Sequence, residues 1–145
     1  MSLDGAYDDA NIFAKILRGE MPSVRVFEDD VALAFMDVFP QSRGHTLVIP
    51  KDVRARNLLD LPDDVVGPYM ARVQRVARGV AKALTPDGLT IVQFNGAPAG
   101  QTVFHLHFHI IPRWEGETMK GHGAAPMADR AALEPIAAQI RAALG

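Results

Sequence analysis

Apolar residues recur along this chain in two rhythms, and turn residues mark where one rhythm gives way to the other. Ile12, Phe13, Ile16 and Leu17 form one face of a short helix, with Asn11 suited to its N-cap and Gly19 to its C′ position. Val24–Phe27 and Val31–Met36 read as two strands of a hairpin turning at Glu28-Asp29-Asp30. Pro40–Gly44 is a loop, and His45–Pro50 a third strand. From Asp60 to Leu84 the period lengthens: Val65, Tyr69, Val73, Val76, Val80 and Leu84 mark the buried face of a long helix. Pro62, Asp63 and Asp64 make its first turn, with acids at the positive end of the dipole; Arg72, Arg75, Arg78 and Lys82 make its solvated side. Pro68 removes one helix bond and predicts a bend, or a start near Gly67. Thr85–Gly88 is a turn and Leu89–Phe94 a fourth strand. A last helix spans Asp129–Leu144, with Leu133, Ile136, Ile140 and Leu144 on one face and Pro135 in an early turn. Residues 1–10 are polar and predict a loose N-terminus.

The fifth strand is where this pattern acquires chemistry. In Phe104-His105-Leu106-His107-Phe108-His109-Ile110, polar and apolar residues alternate strictly, which predicts a half-buried strand. Phe104, Leu106, Phe108 and Ile110 then point to the core, and His105, His107 and His109 to the opposite face. A lone strand histidine is usually a surface or hydrogen-bonded residue. Three in register suggest a site, because imidazole serves near neutral pH as base, nucleophile or ligand. A single metal ion is a poor fit: the outer two Cα atoms of a straight strand stand roughly 13 Å apart, whereas Zn–N bonds are about 2.0–2.1 Å. No Asp or Glu lies between Asp87 and Glu115 to support such a shell. The preceding stretch, Asn95–Thr102, is small, Gly-containing and free of acids, and offers amides, a hydroxyl and backbone N–H groups to an anion.

Composition narrows the classes. A length of 145 residues predicts one domain, 1–145, with a sizeable core; 48% hydrophobic and 22% charged residues are ordinary for a globular protein. The elements together predict an α+β fold: an antiparallel sheet of about five strands, one long helix packed on it, and short N- and C-terminal helices. A net charge of −2 with mixed signs argues against a nucleic-acid partner. The absence of cysteine excludes disulfides, thiolate zinc sites and cysteine nucleophiles. No apolar run approaches a membrane span and no signal peptide is visible, so a cytoplasmic protein without a membrane partner is expected.

His105-Leu106-His107-Phe108-His109-Ile110-Ile111 resembles the histidine triad motif of the HIT family, His-x-His-x-His followed by two apolar residues. Asn11–Glu20 resembles the family's N-terminal helix, and Ala34–Asp37 and Gly44–Lys51 its central strands. Asn95-Gly96 and Gly100–Val103 precede the triad in the family order, so the resemblance covers roughly residues 11 to 114. It implies a HIT-like fold, a purine nucleotide as substrate, a homodimer, and a tail at 115–145 that varies among members. It places His107 as nucleophile and His45 as a fourth histidine holding phosphate beside the triad. It gives Asp37 to the ribose hydroxyls, and Phe13 and Ile16 to the wall of the purine pocket.

The chemistry is consistent with that assignment. Neutral imidazole attacks phosphorus without first losing a proton, so His107 Nε2 is expected to form a nucleotidyl-histidine that water then hydrolyses. His109 is the candidate for protonating the leaving group; His105 and His45 hold the hydrogen-bond network; Asn95, Gln101 and Thr102 contact phosphate or leaving group. The scheme requires no metal and no cofactor. Two alternatives stay open: a nucleotide-binding regulatory protein with little turnover, and a metallohydrolase using the histidine cluster. No role is assigned to His122.

Overall fold

The computed structural model describes residues 3–145; Met1 and Ser2, part of the expected loose N-terminus, lie outside them. Five antiparallel strands, β1 (Arg25–Glu28), β2 (Ala32–Met36), β3 (Thr46–Pro50), β4 (Gly88–Val92) and β5 (Phe108–Arg113), form one sheet in the order β1-β2-β3-β5-β4. Helix α1 (Ile12–Leu17) precedes them, α2 (Asp63–Leu84) connects β3 to β4, and α3 (Arg130–Leu144) ends the chain. The α+β architecture expected from the sequence is therefore the one observed.

The sheet divides the core in two. Ala34, Val48 and Ile110 face one side, where Tyr69, Val73, Val76 and Val80 of α2 and Leu133, Ala137 and Ile140 of α3 complete the larger cluster. Phe35, Leu47, Leu33 and Ile49 face the other, with Phe13 and Ile16 of α1 in a smaller cluster. Pairing puts Phe35 opposite Leu47, Leu47 opposite His109 and His109 opposite Val92. Directly opposed residues share a face, so His109 lies on the α1 side.

Local chemistry fixes these elements. Asn11 caps α1 by accepting from the Ala14 amide at 2.9 Å, and Gly19 ends it at φ +79°. The Tyr69 hydroxyl, fully buried, donates to the Val48 carbonyl at 2.7 Å and ties α2 to the sheet. At Gly79 the two long helices approach so closely that an added Cβ would stand 2.5 Å from Leu144.

Three expectations need correction. α2 begins at Asp63, because Leu58–Asp60 form a separate 3₁₀ turn capped by Asn57. α2 also runs unbroken through Pro68. Pro68 is exposed and only one bond is forfeited near the helix start, while the buried face from Tyr69 onward carries the helix through. Residues 3–10 have no regular structure yet are not loose. Asn57 donates to the Leu3 carbonyl at 2.7 Å, Asp9 pairs with Arg54 at 2.5 Å, and the Arg54 guanidinium lies over the Tyr7 ring.

Candidate functional site

The regular part of β5 begins only at Phe108, so His105 and His107 stand on the irregular approach to the strand. The expected alternation survives there. Leu106 and Ile110 are fully buried in the larger core, and Phe108 packs edge-on against Tyr69. Phe104 departs from the row: it is half-buried beneath the Arg56 guanidinium, 4.8 Å from its ring centre. The Leu106 amide donates to the Ala55 carbonyl at 2.9 Å and holds the approach in place.

Hydrogen bonds to groups of known polarity fix the tautomer of each site histidine. His107 Nδ1 lies 2.7 Å from the His105 carbonyl oxygen, an obligate acceptor, so Nδ1 carries the proton and the Nε2 lone pair is left for chemistry. His105 donates through Nε2 to the Pro50 carbonyl at 3.1 Å and accepts from the Tyr7 hydroxyl at 2.6 Å. The Gln41 backbone N–H donates to His45 Nδ1 at 3.0 Å, which puts the His45 proton on Nε2. That proton points to His109 Nδ1 at 2.9 Å, with an Asp37 carboxylate oxygen at 3.3 Å. His109 must then bear its own proton on Nε2, which is buried and has no hydrogen-bond partner. An orphaned buried donor costs about 1–3 kcal/mol and marks where a ligand acceptor would be welcome.

Burial also sets the charge. Desolvation pushes His105 and His107 down to about 4, His45 to about 3 and His109 to about 2, so all four imidazoles are neutral at pH 7. Desolvation raises the Asp37 carboxyl to about 6, opposed by the Phe39 amide that donates to it at 2.8 Å. Phe13 stands edge-on to His107 with ring centres 4.9 Å apart, and Ile16 is buried beside it in the α1 cluster.

Asp37, His45 and His109 are also the one group among the described residues whose potential metal-ligand atoms converge, all within 4.8 Å. Strand spacing cannot reveal such a set, because it draws one residue from each of three segments. The 2.9 Å N···N separation is a hydrogen bond, and an ion would enter only by displacing the proton that makes it.

The structure thus brings together His45, His105, His107, His109, Asp37 and Phe13. It uses Asn95 and Gln101 differently from the phosphate contacts expected of them. The Gln101 amide is buried, accepting from the Gly96 N–H and donating to the Arg56 and Val103 carbonyls, so it shapes the loop before the triad. The Asn95 amide is engaged with Gln93 and the Leu58 N–H. Thr102 is exposed. Tyr7, Gln41, Phe94 and His122 reach the histidines although nothing in their spacing points there. A tyrosine in an otherwise polar leader is the one available hint. A cavity of about 470 Å³ lies between Pro40–Gly44, Trp114, Lys120 and α3, and none of the histidines lines it.

Residues 18–116 match the HIT domain family. The chain belongs to the histidine triad (HIT) family. A HIT-like protein of Bartonella henselae, crystallised with an unknown ligand, shares 52% identity and superposes with a TM-score of 0.89 over 96% of this chain and 99% of that one. The adenosine 5′-monophosphoramidase hnt1 of Schizosaccharomyces pombe is 37% identical over 135 residues, covering 90% of this chain and 98% of its own. The adenylylsulfatase HINT3 of Arabidopsis thaliana is 38% identical over 117 residues, 77% of this chain and 59% of its own. His105, His107 and His109 are the triad of this HIT protein, and all three are buried on one site.

Proposed function

We propose that this HIT protein is a nucleotide hydrolase acting on the α-phosphate of purine nucleoside phosphoramidates or dinucleoside polyphosphates, through a nucleotidyl-histidine. One observation carries the reading: the His105 carbonyl holds the His107 proton on Nδ1, so a neutral imidazole presents Nε2 as nucleophile. The names of the phosphoramidase and adenylylsulfatase relatives support the substrate class.

In this scheme a phosphate anion entering the site opposes the desolvation that keeps the imidazoles neutral, so substrate and one proton bind together. His107 Nε2 attacks phosphorus, the P–N bond forms, and the bond to the leaving group breaks. The leaving group takes its proton from His109 Nε2, the orphaned donor. Water then attacks phosphorus, returns a proton to His109, and releases the nucleoside monophosphate and His107. The Asp37 carboxylate, 3.3 Å from His45 Nε2, offsets the positive charge that the bound proton brings to the His45–His109 pair. Asp37 is also the candidate ribose acceptor, and Phe13 and Ile16 the purine wall. Asn95 and Gln101 then act by shaping the loop beside the phosphate, and Thr102 stays the candidate for contact with phosphate or leaving group.

The homodimer fits the same reading. β4 is a sheet edge with Ile91 46% exposed, and Leu59, 69% exposed, stands on the 3₁₀ turn that Asn95 ties to the end of that strand. A cytoplasmic setting is likewise proposed; among the described residues no helix is long and apolar enough to cross a membrane.

A substrate panel tests the function. Adenosine 5′-phosphoramidate, an adenylated amine, diadenosine polyphosphates and their guanosine counterparts are incubated with the protein, and nucleoside monophosphate release is followed. Turnover of at least one phosphoramidate or dinucleotide is expected. Tight AMP binding with no turnover on any of them would leave a regulatory binding protein instead.

A further inference from the structure

The chain has a fifth histidine, and the proposed reaction leaves it unused. His122 lies in the stretch between β5 and α3. That stretch is laid along the loop after β2: the Lys120 amide donates to the Gln41 carbonyl at 3.1 Å and the Ala128 amide to the Val38 carbonyl at 2.7 Å. Both ring nitrogens of His122 are engaged. Nε2 is 2.7 Å from the Gly100 carbonyl, so it donates there, and Nδ1 accepts from the Gln41 side-chain amide at 3.3 Å. The ring therefore bridges the loop before the triad and the loop after β2.

Its position relative to His109 gives this bridge a consequence. The His122 ring meets the His109 ring edge-on, with centres 5.3 Å apart at 90°, and leans on Phe94 at 4.7 Å. Phe94 meets His109 in turn at 5.5 Å. Gln41, which His122 grips by its side chain, is the residue whose backbone N–H fixes the His45 tautomer and, through it, the Nε2 proton of His109. His122 is itself exposed, so its place is at the mouth of the site and no core depends on it.

We propose that His122 is a positioning residue for leaving-group protonation: it clamps Gly100 and Gln41 and packs against His109 so that the His109 Nε2 proton meets the departing atom. This rests on the nucleotidyl-transfer reading above. Its signature is a dependence on leaving group. A basic amine needs a proton as it leaves, whereas a nitrophenolate does not.

The test compares wild type, His122→Ala and His122→Gln on AMP esters of phenols of graded acidity and on AMP alkylamides. Gln keeps a donor long enough to reach Gly100. For His122→Ala, kcat/KM on the alkylamides is expected to fall about 10–100-fold, a part of what a general acid supplies. The 4-nitrophenyl ester should stay within about 3-fold of wild type, and His122→Gln should recover part of the loss on amides. A uniform loss across the series, or no loss, overturns the proposal while leaving the hydrolase reading intact. If wild type hydrolyses none of these substrates, the hydrolase reading itself fails, and the positioning role of His122 with it. Ring ¹⁵N spectra give a second measure without turnover: His109 should be the Nε2–H tautomer in wild type and a mixture in His122→Ala. An unchanged His109 tautomer would contradict the clamp.

Discussion

At the scale of single residues, the proposed reaction depends on which nitrogen holds a proton. Four backbone or hydroxyl partners, the His105 and Pro50 carbonyls, the Gln41 amide and the Tyr7 hydroxyl, determine that for His45, His105 and His107, and His45 in turn determines it for His109. Asp37 is the residue with two claims on it, the His45–His109 pair and the proposed ribose diol. Asp37→Asn separates them. It is expected to weaken binding of a ribonucleotide by about 1–3 kcal/mol and that of its 2′,3′-dideoxy analogue far less, since a diol hydrogen-bonded to a carboxylate is worth about that much. Titration calorimetry with both ligands measures the difference, and equal losses would remove Asp37 from the ribose site. The histidines are legible in the sequence because alternation and residue type speak for themselves. Tyr7 and His122 are not, since their roles arise from segments 98 and 13 positions from the histidines they touch, with no periodicity to place them.

At the scale of elements, short apolar runs between turn residues locate the first four strands to within a residue or two, and alternation locates β5 except for its ends. There the chain is irregular through Leu106 and His107, although its alternation is intact. Alternation reports which way side chains point, and an extended segment need not be hydrogen-bonded into a ladder to alternate. The long helix is legible from its apolar face. Its start and its passage through Pro68 are not, because capping and burial jointly decide them. The loop between β2 and β3 depends on Gly44, which sits at φ +92°, where an added Cβ would stand only 2.2 Å from Leu84 and 3.2 Å from Pro112. Gly44→Ala is therefore expected to lower stability by about 1–3 kcal/mol through backbone strain and overpacking. Because His45 follows directly, the same substitution should reduce activity. A denaturant midpoint equal to wild type would show that this loop tolerates a side chain.

At the scale of the whole molecule, the buried histidines make stability depend on pH. Their folded values, about 2 to 4, lie below the unfolded value of 6.5. Between those limits the unfolded chain binds more protons, so stability is complete above about pH 6.5 and is lost as pH falls through that window. Asp37 acts oppositely: raised from 3.8 to about 6, it holds a proton in the fold where the unfolded chain does not, and acidification favours the fold by that one group. Four histidines against one carboxylate leave a net destabilisation, each proton contributing roughly 1.4 kcal/mol per pH unit. Thermal unfolding at pH 7 and pH 5 should show a clear fall in Tm. A change smaller than about 3 °C would mean that the histidines are not held neutral by burial.

Whether His107 attacks phosphorus before water does is tested most directly by the stereochemistry at phosphorus. A substrate made chiral at the α-phosphorus with oxygen isotopes or sulfur is hydrolysed in labelled water, and the configuration of the nucleoside monophosphate is determined. Attack by His107 followed by attack by water inverts phosphorus twice, so net retention is the expected result. A single displacement by water, activated by a metal ion at Asp37, His45 and His109 or otherwise, gives net inversion, and that result would contradict the nucleotidyl-histidine.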